Sequence, residues 1–303
     1  VALIGDVPIF VAHESADVWA NQGLFRLDEE GRPLVVSGVP PDYFAVDGQL
    51  WGNPHYDWEK LKARGYDWWI DRLGAAAERF DAVRLDHFIG FHNFWEIPGS
   101  AKTAKEGRWV LGPGAAFFES VRSALPALEL IAEDLGSVSE EVLALRDRFE
   151  LPGMRVLQFA FGDDSQAESF LPHNYPRHTV AYTGTHDNDT VRGWYDDPGA
   201  APGSRSREQI EKERHNARVY LKSDGSRIHW DMISAVLRST ADTAIVPVQD
   251  LLGLGSQARM NRPGTATGNW EWRLSPGALD ASLAGRLRGL VDETGRATRK
   301  VHA

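Results

Sequence analysis

The sequence predicts an α/β fold with a parallel sheet built from βα units, part of a (β/α)8 barrel. Three observations predict it. Short apolar runs alternate with helical patterns along the 303 residues, as βα units require. Several of these runs end in Asp, Glu, Arg or His, and parallel strands present such ends on one face. Six strands can be counted, two short of a closed barrel, and the chain opens inside an apolar run, Val1-Ala2-Leu3-Ile4. The expectation is a piece of a barrel lacking its first two βα units.

Composition narrows the classes. Lys and Arg number 33 against 43 Asp and Glu, a net charge of −10, and an acidic surface argues against nucleic-acid or membrane partners. With no Cys, disulfides, thiolate chemistry and Cys-ligated zinc are excluded. No apolar run reaches the roughly 18 residues of a membrane span and no signal peptide opens the sequence, so a soluble, cytoplasmic protein is expected. The 11 Trp are many, and several lie in segments rich in Gly, Pro and Asn.

In chain order, Val1 to Ile4 reads as the first strand, and Asp6 with Pro8 opens a long loop. Segment 10–57 reads as irregular, and its aromatic content argues for function rather than disorder. A helix is predicted over 58–79, with Leu61, Trp69, Leu73 and Phe80 on one face. Ala82-Val83-Arg84-Leu85 then reads as a buried strand. Arg84 is costly there unless paired, and Asp86 follows two residues on, on the same face. Alone, that pair fits a structural ion pair as well as it fits a catalytic site.

A second loop, 88–115, carries Phe88, Phe91, Phe94, Trp95 and Trp109. A helix near 114–123 leads to the strand 128–132, which ends at Glu133-Asp134. Ser137 and Glu140 form a capping-box pattern for a helix through Phe149. Strands at 154–161 and 178–183 follow, the second ending at Thr185-His186-Asp187-Asn188-Asp189. A linker over 197–203 precedes helices at 205–221 and 228–238, a helical insertion of about 197–240. The strand 243–248 ends at Gln249-Asp250, and a helix over 279–291 closes the chain. All of this reads as one catalytic barrel domain, 1–303, with loop insertions at 10–57 and 88–115.

Four strand ends thus carry polar clusters: Asp6, Arg84 with Asp86, Glu133 with Asp134, and His186 with Asp187. One acid at a strand end fits a helix cap, and Asp134 before Gly136 and Ser137 is such a case. Three carboxylate-bearing ends with Arg and His beside two of them are harder to explain as caps. The cluster suits either a hard-metal site or acid/base chemistry. Glycoside cleavage with retention needs two carboxyls about 5–5.5 Å apart. Arg84 would keep Asp86 ionised, and burial among carboxylates would keep a second acid protonated. Trp69 and Trp230, on helices, fit core packing. Tyr43, Trp51 and Trp95 read as loop aromatics able to stack on sugar faces.

Several segments resemble one family. They are Ile4-Gly5-Asp6-Val7-Pro8-Ile9-Phe10, Gly38-Val39-Pro40-Pro41-Asp42-Tyr43-Phe44, Trp51-Gly52-Asn53-Pro54, Val83-Arg84-Leu85-Asp86-His87-Phe88 and Ala132-Glu133-Asp134-Leu135-Gly136. Leu151-Pro152-Gly153-Met154, Thr183-Gly184-Thr185-His186-Asp187-Asn188-Asp189-Thr190 and Ala258-Arg259-Met260-Asn261 continue the series. Together they resemble the amylomaltases, the 4-α-glucanotransferases of glycoside hydrolase family seventy-seven in the α-amylase clan. The resemblance runs from Leu3 to about Leu274.

It implies a (β/α)8 barrel of that clan and transfer of α-1,4-glucan segments to an acceptor 4-hydroxyl, with malto-oligosaccharides and α-glucans as partners and no cofactor or metal. Asp86 would be the nucleophile, Glu133 the general acid/base and Asp187 the acid that binds substrate hydroxyls. Arg84 and His186 would partner the nucleophile and the sugar in the cleavage subsite, Asp6 would bind substrate, Asp42, Tyr43 and Trp51 would contact glucan from a loop over the cleft, and Asn261 would lie near the donor sugars. Family members carry an N-terminal portion with the first two barrel strands. The expectation is therefore a piece of a longer enzyme, missing that portion and inactive or poorly folded alone. The rival readings are a hydrolase of the same clan and a fragment that only binds glucan. A divalent-metal hydrolase is disfavoured, since no His/Asp pair has helical ligand spacing.

Overall fold

The computed structural model describes residues 1–41, 47–136, 138–199, 205–265 and 267–297. They fall into two compact units, Val1–Met154 and Arg155–Ala303. The first unit contains β1 (Ile4–Val7), α1 (Ala16–Ala20), β2 (Val35–Val39), β3 (Gln49–Pro54), α2 (Trp58–Ala63), α3 (Asp67–Ala77) and β4 (Ala82–Leu85). It continues through α4 (Ile89–His92), β5 (Asn93–Pro98), β6 (Arg108–Leu111), α5 (Ala115–Ala124), β7 (Glu129–Ala132) and α6 (Glu140–Arg148). The unit boundary falls within β8 (Gly153–Val156).

A parallel sheet of order β1-β4-β7 organises the first unit. Val83 and Leu85 in its middle strand have no exposure, as do Trp69 and Leu73 of α3 and Phe117 of α5. All belong to one core cluster, and fully burying each such side chain contributes about 1.5–3 kcal/mol. The register sets Asp6 opposite Arg84, and Leu85 opposite both Val7 and Ala132. Asp86 and Glu133 therefore leave adjacent strands one step past the same pairing.

The structure corrects several expectations here. The first strand is Ile4–Val7 rather than Val1–Ile4, so Asp6 lies within it. The helix expected over 58–79 is two helices, α2 and α3. Gly65 and Tyr66 between them are left-handed (φ 64° and 59°), and their N–H groups close α2 onto the Lys62 and Leu61 carbonyls. Ser137 lies outside the described residues. The N-cap of α6 is Ser139, with no side-chain cap bond, so the expected capping box does not start this helix. The two segments read as irregular loops form a four-stranded antiparallel sheet, β3-β2-β5-β6. Trp51 and Trp95 are thus on strands, not loops.

The second unit contains β9 (Thr179–Tyr182), α7 (Val191–Asp196), α8 (Arg207–Leu221), α9 (Ile228–Arg238), β10 (Thr243–Ile245), α10 (Val248–Leu251) and α11 (Ala281–Glu293). Its sheet has the order β10-β9-β8, with β9 and β10 parallel and every residue of β9 buried. α8 begins with a capping box, Ser206 with Gln209. Trp230, Ile233 and Leu237 of α9 are buried and receive Leu283, Leu287 and Leu290 of α11. The expected strands at 154–161 and 243–248 are shorter, because Leu157–Phe161 turns into a 3-10 helix and Val248 starts α10. No described helix is long and apolar enough to cross a membrane.

Candidate active site

In the first unit the site starts from Arg84, 7 % exposed on the middle strand. A buried guanidinium needs partners for its donors. Its Nη1 lies 2.6 Å from Asp6 Oδ1, its Nη2 lies 2.9 Å from Asp86 Oδ1, and its Nε donates to Met154 Sδ at 3.3 Å. Burial works against its charge, but Asp86, Asp6 and Glu133 together hold its pKa above the ordinary range. The fork therefore fixes two carboxylates at once. Asp86 stays 37 % exposed at its side chain, open to a substrate.

Glu133, one step past β7, is 9 % exposed. Its Oε2 accepts from the His87 backbone N–H at 2.7 Å and its Oε1 from Leu135 N–H at 2.9 Å. His87 is itself left-handed (φ 51°), a conformation a non-glycine residue holds only when its surroundings impose it. Burial and then the neighbouring Asp86 charge push the Glu133 pKa up to about 8, against the opposing pull of Arg84 and the two N–H groups. At neutral pH the carboxyl is protonated and can donate. One carboxyl clamped by an arginine beside a second kept neutral by burial is the division of labour that acid-assisted nucleophilic displacement needs.

The His87 ring meets Trp51 edge to face at 4.9 Å, and Phe10 lies 6.4 Å from each of them. Desolvation, reinforced by His55, pushes the His87 pKa down to about 4, so the ring is neutral. Asp134 is not the N-cap of α6, which is Ser139: it accepts from Met154 N–H at 2.7 Å and pairs with Arg146 of α6 at 2.5 Å. It thereby anchors Met154, the residue under Arg84.

In the second unit, His186 and Asp187 follow β9. Asn261 Nδ2 donates to Asp187 Oδ1 at 2.6 Å, and Arg259 Nη2 donates to the Asp187 carbonyl at 2.6 Å. His186 Nε2 lies 3.4 Å from Asp187 Oδ2, and the Asn261 N–H donates to the His186 carbonyl. The Trp270 ring lies 5.1 Å from His186, on a left-handed residue (φ 62°) that is half exposed. The structure thus brings Asp6, Arg84, Asp86 and Glu133 together in the first unit, and His186, Asp187 and Asn261 in the second. Asp42 and Tyr43 lie outside the described residues.

Comparison with known proteins places the chain in a family. The sequence profile of the 4-alpha-glucanotransferases of glycoside hydrolase family 77 matches residues 1–280. The chain belongs to that family. It is 50 % identical to the 4-alpha-glucanotransferase of Thermus thermophilus, over 98 % of this chain and 58 % of that protein. It is 46 % identical to the chloroplastic/amyloplastic 4-alpha-glucanotransferase of Arabidopsis thaliana, over 98 % of this chain and 50 % of that one. Among solved structures it is similar to the amylomaltase of Streptococcus agalactiae in complex with acarbose. That match has a TM-score of 0.89 and 35 % identity, covering 98 % of this chain and 58 % of the other. The chain spans between half and three-fifths of the length of these family members.

Sequence reasoning within this family did not single out His87, Arg259 or Trp270. The signal for His87 was adjacency to Asp86, but its use of a backbone N–H has no sequence signature. Arg259 lies in the Ala258-Arg259-Met260-Asn261 motif, which by itself gives it no role. Trp270, in a Gly-Asn-Trp-Glu-Trp run, had the same loop-aromatic signal as Trp51.

Proposed function

We propose that the protein transfers segments of α-1,4-glucan to the 4-hydroxyl of an acceptor glucan or glucose by a retaining double displacement. The observation that carries this is the buried Glu133 one strand away from Asp86 in the grip of Arg84, with burial and the Asp86 charge raising the Glu133 pKa. In the first step Asp86 attacks the anomeric carbon while Glu133 gives its proton to the departing glycosidic oxygen, leaving a β-glucosyl ester on Asp86. In the second step the Glu133 carboxylate takes the proton of an acceptor 4-hydroxyl, whose oxygen attacks the same carbon and releases Asp86. Each displacement inverts the centre, so the α-linkage is regained.

Family membership supports further assignments as proposals. Asp187 and His186 bind sugar hydroxyls, Asn261 helps hold the donor sugars, and Asp6 binds substrate beside Arg84. Trp51, with Asp42 and Tyr43, contacts glucan. The parallel strands belong to a (β/α)8 barrel domain of the α-amylase clan. Segments 10–57 and 88–115 serve as its cleft insertions, and 197–240 is its helical insertion.

Incubation with maltotriose tests the reading against the expectation that the chain is inactive or poorly folded alone. Glucose should appear together with maltotetraose and longer glucans, with no net gain of reducing ends, and Asp86→Asn should abolish both. Release of glucose and maltose with rising reducing ends would make the protein a hydrolase instead. Binding of glucan without turnover would make it a binding module.

A further inference from the structure

The last predicted strand ends in Gln249-Asp250, and the chemistry above gives this pair no task. Both are polar and buried in α10, Asp250 with 1 % exposure and Gln249 with 7 %. Asp250 Oδ2 accepts from Thr183 Oγ1 at 2.6 Å, just past β9, and its Oδ1 accepts from the Val191 backbone N–H at 2.7 Å, at the start of α7. These partners bracket residues 184–190, the loop that carries His186 and Asp187. Gln249 Nε2 donates to the Ala258 carbonyl at 3.2 Å. Ala258 precedes Arg259 and Asn261, the two residues that hold the Asp187 carbonyl and carboxylate.

One dipeptide therefore ties down the loop bearing the two candidate sugar-binding residues and also the segment that buttresses them. Lesser ties run the same way: Thr190 Oγ1 donates to the Leu254 carbonyl and Ser256 Oγ to Asp189 Oδ2, each at 2.7 Å. A buried carboxylate is costly, and an apolar side chain of similar volume would fill the space at less expense. What an apolar side chain cannot do is accept from both ends of one loop.

We propose that Gln249 and Asp250 are positioning residues for His186 and Asp187, fixing the loop 184–190 so that glucan hydroxyls are met in one geometry. This rests on the assignment of His186 and Asp187 to substrate. Three variants of the full chain test it: Asp250→Ala, Asp250→Asn and Thr183→Val. Amide hydrogen exchange reads the pinning of 184–190 without reference to activity, and maltotriose transfer reads its consequence.

For Asp250→Ala, exchange in 184–190 should quicken relative to the sheet, and kcat/KM should fall about 10²-fold, the scale of a misplaced binding group. Asp250→Asn retains an acceptor for Val191 N–H and should recover most of the loss, with Thr183→Val in between. Unchanged exchange in 184–190, or faster exchange with unchanged kcat/KM, overturns the proposal. So does a loss of turnover no larger than the loss of folded protein. Should Asp250→Ala fail to fold, Thr183→Val decides by the same criteria. If the parent chain transfers no glucan, the proposed function fails, and exchange in 184–190 still decides whether Asp250 pins the loop.

Discussion

Glu133 holds its proton because burial makes the carboxylate expensive and Asp86 makes it more so. The same fact sets two pH dependences. The proposed displacement needs the proton, so kcat/KM should fall along an alkaline limb centred at about pH 8. Stability follows by linkage. The folded-state pKa lies above the ordinary value of 4.5, so the folded form binds the proton more tightly, and the stability this gives is full below about 4.5 and lost as pH rises to about 8. Within that window the slope approaches about 1.4 kcal/mol per pH unit. Glu133→Gln lacks this slope. It should be inactive, and its melting temperature relative to the parent should rise between about pH 5 and pH 9, as calorimetry would read; a constant offset would show that Glu133 is ionised throughout. Single residues were the most legible part of the sequence. Arg84 in an apolar run had to find acids, and Asp6 and Asp86 are those acids. The route by which Glu133 is held was not legible, since its donors are backbone N–H groups.

At the scale of elements, strands that follow helices were legible because each carries its own apolar pattern. β4 and β7 fall within a residue of their expected limits. The antiparallel sheet was not, for a physical reason: β2 pairs with β5 some sixty positions away, and no local periodicity reports a partner that distant. Nor did the run from Trp58 announce its break, since the apolar spacing of Leu61, Trp69 and Leu73 persists across Gly65. The β7–α6–β8 junction gives an element-level test. A Cβ on Gly153 would stand 2.5 Å from Asp134 Oδ2 and 2.9 Å from Arg146 Nη1. Neither neighbour can yield without breaking the Asp134–Arg146 pair or the Met154 N–H bond. Gly153→Ala should therefore destabilise the fold by about 1–3 kcal/mol, measurable by urea denaturation. It should also lower turnover through Met154 and Arg84. A stability within about 0.5 kcal/mol of the parent would mean that the junction is soft.

For the whole molecule, the acidic balance says more about partners than about fold. A net charge of −10 gives a field that repels polyanions, while a glucan, being neutral, is indifferent to it. The charges that would act on the sugar are of another kind. Arg84 is buried against Asp6 and Asp86, and Glu133 is buried and protonated at neutral pH. Mobile ions screen exposed charges over a Debye length of about 10 Å at 0.1 M, and they reach buried pairs much less. Transfer from maltotriose should therefore change by less than about two-fold in kcat/KM between roughly 0.05 M and 0.5 M sodium chloride. A charged substrate would behave otherwise, because steered association falls steeply with salt. A change of about ten-fold over that range would mean that long-range charge takes part in substrate capture, which neither a neutral glucan nor a buried Arg84 clamp can supply.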